Sequence, residues 1–494
     1  MDGSSDKKSL ASRAAQEVLP PVLFPAETST ERRWLARLKA DGRIRLVGPR
    51  LYVSVPEANV AETLRQAWST IVARLYPRAL VSHRTALEFT PSPLGEVFIT
   101  ATANRQVRYP GLTLKFLRGP GPLPDDPKFL TIRSTSRARA FLENLAPHKS
   151  TPTRVLPIED LEARLEQLLL AGGEAEVNKL RDRARQISAE LDWPAEFKRL
   201  DSLIGALLGT RKAKVSSVVA QARAAGEPFD PACLERLQLL FAELRAPLVG
   251  VPDEVDAPDH ATNKAFFESF FSNYIEGTTF EVAEAEAIVF DRKIPPNRPK
   301  DAHDVLGTFE IVSDLGEMRR TPRTFDDFID VIRARHAKMM ARRPEAGPGS
   351  FKLETNRASG TVFVHPDYVR GTLRKGWDLS RDVEPGLPRS IFTAFLLSDV
   401  HPFVDGNGRL SRIMMNAELV AVGQSKIIVP TVFRDDYLLA LRALTRRHRP
   451  QPIVQALTRA QKFSSLVFSP YPAVLAELTN RNWFRDPDEA KIVD

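Results

Sequence analysis

His401, Asp405, Asn407, Arg409 and Arg412 fall within twelve residues, HPFVDGNGRLSR, around Gly406 and Gly408. An imidazole with an ordinary pKa of about 6.5 can take a proton from a hydroxyl while its oxygen attacks phosphorus. A carboxylate offers oxygen to Mg2+, whose shell is completed by phosphates and water. The glycines let backbone N–H groups approach an anion, and Asn407 between them tolerates unusual turn dihedrals. RLSRIMMNAEL has helical spacing, so the turn should feed a helix N-terminus, where free donors and the helix dipole favour phosphate. Arg409 and Arg412, three apart, share a helical face, and a guanidinium grips phosphate through two bonds. A plainer reading has His401 capping a helix and the arginines pairing with surface acids. A lone Gly-Asn-Gly would favour that reading; the full spacing favours phosphate chemistry.

Long helices must position these residues. From about residue 261 helical patterns dominate, with an apolar helix before His401, another from Gly408 through Val420, and more after Arg434. The interruption GPGSFKLETNRASGTVFVHP carries two β-compatible runs flanking Asn356–Gly360, as a hairpin would. At 494 residues the chain is too long for one core, and two to four domains are expected. Its formal net charge of +8 is mild for that length. A single cysteine, Cys233, rules out an internal disulfide and a cysteine-based metal cluster; within FDPACLERLQLL it reads as a buried small hydrophobe. No apolar run is long enough to cross a bilayer and the first twenty residues lack a signal-peptide core, so the expectation is a cytoplasmic protein without membrane contact.

The stretch 401–412 resembles the defining motif of the Fic family: His401, Phe403, Gly406, Asn407, Gly408, Arg409 and Arg412 stand at its named positions, with Asp405 as the acidic residue usual in members that use a metal. The likeness covers roughly residues 261–460. It implies transfer of AMP from ATP to a Ser, Thr or Tyr hydroxyl of a target protein, with self-modification as a further outcome. By the same resemblance His401 is the general base, Asp405 binds Mg2+ or Mn2+, and Asn407 with the glycine amides cradles the α-phosphate. Arg409 and Arg412 hold the outer phosphates, and Phe403 anchors the loop in the core. The hairpin becomes a flap against which an extended target segment can pair, with Phe351, Lys352, Leu353, Glu354, Thr361, Val362 and Phe363 as its target-binding residues. The plainer alternative is a hairpin packed on the helical core.

A second signal lies in FFSNYIEGTTF. Ser272, Glu276 and Gly277 match the inhibitory motif of that family; Ser272 and Glu276, four apart, share a helical face, and Gly277 can end the helix. The resemblance implies that Glu276 pairs with Arg412 and restrains the enzyme, and that the same glutamate can assist AMP removal. The alternative is a surface glutamate at a helix end.

Residues 29–45 read as a helix presenting Trp34, Leu35 and Leu38, stopped at Gly42 and followed by the strands RIRLV and RLYVSV. One amphipathic helix is expected over 60–76, a strand and helix in ALVSHRTALEF, and the strands GEVFITA and LTLKFLRG separated by NRQVRYPG. This region resembles the AbiEi-type antitoxin winged-helix proteins found with nucleotidyltransferase toxins in abortive-infection systems. The resemblance implies duplex DNA as a partner through Arg32, Arg33, Arg37 and Lys39; the alternative is a solvated basic face. The leucines of 157–210 read as core rather than as a dimer zipper, since Gly172-Gly173 interrupts them.

The expected architecture is multidomain: an N-terminal α+β winged helix-turn-helix-like domain, then a mostly α-helical Fic fold with a β-hairpin flap. The expected divisions are 1–160, a helical extension or linker over 161–250, the Fic region over 251–460 with the inhibitory helix at 262–277, and a C-terminal tail over 461–494. The leading expectation is a self-inhibited protein adenylyltransferase. Alternatives are a DNA-binding regulator with a nucleotide-sensing Fic-like part and an antitoxin-like fusion, and a homo-oligomer fits any of them.

Overall fold

The computed structural model describes residues 18–146, 152–211, 214–358 and 360–493. The first seventeen residues, read above as lacking a signal core, and Ser359 of the hairpin lie outside the described residues. The chain forms two compact units, Met1–Ala224 and Ala225–Asp494, so the boundary falls inside the 161–250 segment.

In the first unit, β1 (Val22–Leu23) precedes α1 (Ser29–Ala40), which begins at a capping box: the Thr28 hydroxyl accepts from the Glu31 N–H and the Glu31 carboxylate accepts from the Thr28 N–H. β2 (Arg45–Gly48) and β3 (Leu51–Val53) follow, in an antiparallel sheet of order β1-β3-β2. Leu35 and Leu38 join Leu23 and Ile44 in a small core. Trp34 does not: one residue of helical rotation turns it off that face, and it is 36% exposed.

The helix expected over 60–76 is two, α2 (Val60–Gln66) and α3 (Trp68–Leu75), broken at Ala67 so that Val60, Leu64, Trp68 and Ile71 reach one core. Next come β4 (Leu80–Val81), α4 (His83–Glu88), β5 (Glu96–Ala101), β6 (Arg105–Tyr109), β7 (Leu112–Arg118), β8 (Lys128–Phe129), β9 (Ile132–Ser134) and α5 (Arg137–Leu145). NRQVRYPG, read as a connector, contributes β6. Its residues are mostly polar because it lies at the edge of a six-stranded sheet of order β6-β7-β5-β4-β9-β8, while central β5 buries Val97, Phe98 and Ile99. β5 and β7 pair in parallel. The unit ends with α6 (Ile158–Leu191), α7 (Pro194–Leu207) and α8 (Val218–Ala224). α6 breaks at Gly173, and Leu161, Leu165 and Leu169 face the core, as the interrupted leucine spacing indicated.

The second unit comprises α9 (Pro231–Glu243), α10 (His260–Ile275), α11 (Val282–Val289), α12 (Pro299–Val312), α13 (Leu315–Met318), α14 (Phe325–Met339), the hairpin β10 (Arg357–Ala358) and β11 (Thr361–Val362), α15 (Pro366–Arg381), α16 (Leu387–Val400), α17 (Asn407–Val420), α18 (Arg434–Arg447), α19 (Gln451–Ser464) and α20 (Tyr471–Asn480). Cys233 is fully buried in α9, as expected. α16 and α17 pack closely across the 401–406 turn, and both are buried on nearly every face, α16 chiefly through apolar side chains and α17 through apolar and polar ones alike.

α10 is also buried nearly all round. Thirteen of its sixteen residues are buried, which makes it a core helix rather than an appended one. The segment 461–494, expected as a tail, helps to bury it. Tyr471 stacks on Phe267 with centroids 5.7 Å apart, and Trp483 meets Phe271 edge-on at 5.6 Å. The Phe468 carbonyl accepts from Asn263 Nδ2 at 2.8 Å, and its N–H donates to His260 Nδ1 at 2.9 Å. Aromatic residues scattered at unequal spacing have no periodic signature, which is why the segment reads as a tail. Among the described residues, no helix is long and apolar enough to cross a membrane.

Candidate active site

The turn between α16 and α17 is closed by its own side chains. Asn407 Oδ1 accepts from the Phe403 N–H and its Nδ2 donates to the Phe403 carbonyl, both at 2.9 Å. The Asn407 amide therefore shapes the loop, leaving the backbone donors at the start of α17 as the groups that face an anion. Gly406 sits at φ +75, and a Cβ there would come within 2.9 Å of Met340 Sδ. His336 supports the turn from α14: its ring stacks on Phe403 with centroids 3.8 Å apart, its Nε2–H donates to the Asp405 carbonyl at 3.0 Å, and its Nδ1 accepts from the Gly349 N–H.

His401 caps α16 in the left-handed region, φ +53. Its Nδ1 lies 3.1 Å from the Ser398 carbonyl, which can only accept, so Nδ1 carries the proton and Nε2 keeps a lone pair. Phe363, just after β11, stacks on the ring with centroids 3.7 Å apart. Burial pushes the His401 pKa down to about 4, with the Lys352 charge adding to that and the Ser398 bond opposing it. His336 is also pushed down to about 4, chiefly by burial. Both rings are neutral near pH 7. Between about pH 6.5 and pH 4 the unfolded chain, with ordinary histidines, binds protons that the folded chain does not. Stability should fall as the pH drops through that window and stay level for these groups above it. A melting temperature unchanged between pH 6.5 and 5 would contradict the neutral, buried rings.

Ser272 and Glu276 do share a face at the end of α10, and Gly277 follows at φ +90. Arg412, 5% exposed, donates from Nε to Ser272 Oγ at 2.9 Å and from NH2 to the Ser272 carbonyl at 2.8 Å and Glu276 Oε1 at 2.7 Å. A Cβ at Gly408 would collide with Glu276 Oε1, so the carboxylate lies against the first turn of α17, on the ground an anionic ligand would take. Arg409 is placed differently. Its NH1 pairs with Asp304 on α12 at 2.8 Å and its NH2 is 3.8 Å from Asp405. Asp304 also accepts from Arg343 at 2.7 Å, and this buried pairing ties α12 to α17. The Asp405 side chain is 57% exposed, and its Oδ1 accepts from the Gly406 N–H at 2.6 Å.

The flap residues separate into three sets. Leu353, Glu354 and Val362 are exposed, while Thr361 and Phe363 line the cavity above His401. Phe351 leans on Phe403 at 5.3 Å. Lys352 is 3% exposed: its N–H donates to the Pro402 carbonyl at 3.0 Å, and its Nζ donates to Asn356 Oδ1 at 2.7 Å and lies 3.4 Å from the Val400 carbonyl. Asn356 Nδ2 in turn donates to the Phe403 carbonyl at 2.9 Å. Lys352 thus braces the hairpin base and the 401–406 turn, and its buried amine is not offered to the surface. Burial pushes its pKa down to about 8.

Together these groups surround a cavity of about 340 Å3. Its far wall is α18, with Arg434, Tyr437, Leu441, Arg442 and Arg446. Sequence reasoning missed this wall, and it missed His336, Asp304 and Asn356; each is recruited by tertiary packing from outside the motif. In the other unit Arg32, Arg33, Arg37 and Lys39 all lie exposed along α1.

The sequence profile of the Fic/DOC family matches residues 326–419. The protein adenylyltransferase Fic of Nematostella vectensis is 28% identical over 204 residues, 40% of this chain and 47% of that protein. Protein adenylyltransferase fic-1 of Caenorhabditis elegans is 24% identical over 173 residues, 34% of each chain. The chain spans less than half the length of the curated relatives it matches. Among solved structures, Fic-1 (residues 134–508) from C. elegans is similar with a TM-score of 0.38 and 16% identity, over 65% of this chain and 98% of that one. The turn that holds His401, with the helices on either side of it up to Leu419, lies inside the matched segment, and over residues 326–419 the chain carries a Fic/DOC-family domain.

Proposed function

We propose that the protein transfers AMP from ATP to a Ser, Thr or Tyr hydroxyl of a protein, and that Glu276 restrains it. The observation that carries this reading is the pairing of a neutral His401, its Nε2 lone pair open to the cavity, with a helix N-terminus and Arg412 held by Glu276. His401 Nε2 takes the hydroxyl proton as that oxygen bonds to the α-phosphorus, and the bond from the α-phosphorus to the bridging oxygen breaks, releasing pyrophosphate. The N–H groups of the first turn of α17 face the charge that develops on the α-phosphate. Arg412, once released by Glu276, holds the outer phosphates; Arg409 supports the turn through Asp304.

The residues fit Mg2+ or Mn2+ as the metal. Asp405 presents a largely exposed carboxylate at the turn, and among the described residues no group of three or more His, Cys, Asp or Glu side chains forms a separate metal site. A hard divalent ion needs only one or two carboxylates when substrate phosphates and water complete its shell, and it would neutralise phosphate charge. Mass spectrometry of the full chain after incubation with Mg2+ and ATP tests the reading: AMP should be found on the protein itself or on an added target, and ATP hydrolysis alone would count against it.

For the unit Met1–Ala224, the exposed basic side chains of α1, followed by the β2–β3 hairpin, favour contact with duplex DNA. Affinity of the full chain for a duplex should fall with salt at a slope of about −3 to −4 in log–log terms if four phosphates are contacted. Changing Arg32, Arg33, Arg37 and Lys39 together to Ala should flatten that slope. Absence of duplex binding at low salt would remove the DNA role.

A further inference from the structure

We propose that the hydroxyl-bearing segment modified at this site is acidic, and that Arg442 and Arg446 beside the hairpin recognise it. The inference rests on the AMP-transfer reading above. α18 runs the length of the cavity. At its start Arg434 Nε donates to the Ile275 carbonyl at 3.3 Å, next to Glu276, and so marks the phosphate end. Near its other end Arg446 donates to Thr361 Oγ1 at 3.0 and 2.8 Å, and so marks the hairpin end. Twelve residues of helix separate the two, about 18 Å at ~1.5 Å per residue.

A triphosphate gathered at Arg412 and the start of α17 already has its cations at the near end, so Arg442, toward the hairpin end, can meet a second anion beside Arg446. Arg442, one turn before Arg446, also lines the cavity, and Arg447 and Arg449 are exposed just beyond it. Among the described residues no carboxylate lies within 4.0 Å of Arg442, Arg447 or Arg449, and Glu276 is the one acid in the cavity wall. Cations in the last turn of a helix also answer its dipole. That accounts for Arg446 and Arg447 but not for Arg442, which sits a turn earlier and inside the cavity.

The hairpin decides what kind of anion fits. Among the described residues β11 pairs only with β10, in a two-stranded sheet, and Val362 is 56% exposed. An extended peptide laid along the open edge of β11 would run past Phe363, which stacks on His401, and past Thr361, which meets Arg446. Its hydroxyl then approaches the base while its neighbouring residues lie alongside the arginines. A nucleic acid offers the same charge but no backbone to pair with β11.

The test uses the full chain carrying Glu276→Gly, with Mg2+, ATP and extended synthetic peptides bearing one tyrosine flanked by Glu, by Ala or by Lys. The Glu-flanked peptide should be used about tenfold better in kcat/KM than the Ala-flanked one, and the Lys-flanked peptide worst. Adding Arg442→Gln and Arg446→Gln should shrink the preference to about twofold by raising the peptide KM, with the ATP KM held. Equal use of all three peptides while self-modification proceeds would overturn the inference and leave AMP transfer standing. A raised ATP KM in the arginine variant would overturn it too, by assigning those side chains to the nucleotide. Failure of the Glu276→Gly chain to place AMP on any protein or peptide would defeat the AMP-transfer reading itself, and the inference with it.

Discussion

Glu276→Gly should raise AMP incorporation by on the order of a hundredfold, because the substitution frees Arg412 without dismantling its seat. Arg412 would still donate to Ser272 Oγ at 2.9 Å and to the Ser272 carbonyl at 2.8 Å, so the guanidinium stays aimed at the cavity while the ground against Gly408 is vacated. Arg412→Ala also removes the restraint but takes the phosphate clamp with it. Its rate should remain well below that of Glu276→Gly across an ATP-concentration series, and the double variant should match Arg412→Ala. Equal incorporation by wild type and Glu276→Gly would sink the assignment of Glu276 as a restraint. Arg412→Ala matching Glu276→Gly at every ATP concentration would remove Arg412 from the productive phosphate site.

His401→Ala should lower transfer by about 10²–10⁴-fold in both the wild-type and the Glu276→Gly backgrounds, the usual span for loss of a positioned general base. Among the described residues the imidazole makes one hydrogen bond, to the Ser398 carbonyl, and one ring stack, on Phe363, so the fold should survive its loss. A melting temperature near that of the parent with transfer abolished is the expected pair of results. A His401→Ala/Glu276→Gly chain retaining a tenth or more of the Glu276→Gly rate would show that the hydroxyl loses its proton elsewhere.

The parts of this site that could be read from the sequence are those whose geometry is local. A left-handed glycine, a helix start and two arginines one turn apart are encoded within twelve residues, and Ser272 and Glu276 share a face by helical spacing alone. What escaped the reading depends on partners far along the chain. Arg409 looks like a phosphate ligand until Asp304, on another helix, claims its guanidinium. Lys352 looks like a strand residue offered to a target, but Asn356 and the loop ahead of Phe403 draw it inward. Tyr471 and Trp483 stand in a segment without periodicity, and their value lies in the aromatic faces of α10 that they cover. In the first unit the break at Ala67 and the rotation of Trp34 out of the core were likewise settled by which faces found a core to join. Periodicity reports that a face is apolar; it does not report what meets it.

The depth at which α10 is held has a kinetic consequence. A helix with thirteen of sixteen residues buried, packed under Tyr471 and Trp483, cannot detach without unfolding much of its unit. Escape of the carboxylate must then come from torsions of the Glu276 side chain, which is 32% exposed. Such rotations take picoseconds to nanoseconds, whereas a turnover at a typical rate takes about a tenth of a second. On the AMP-transfer reading, paired and released arrangements of Glu276 should therefore equilibrate many times within each turnover, giving a rapidly averaged mixture rather than a closed state awaiting a trigger. Carboxylate and γ-phosphate become rivals for one guanidinium, so the wild type should leak at a rate that climbs with nucleotide concentration and shows no lag.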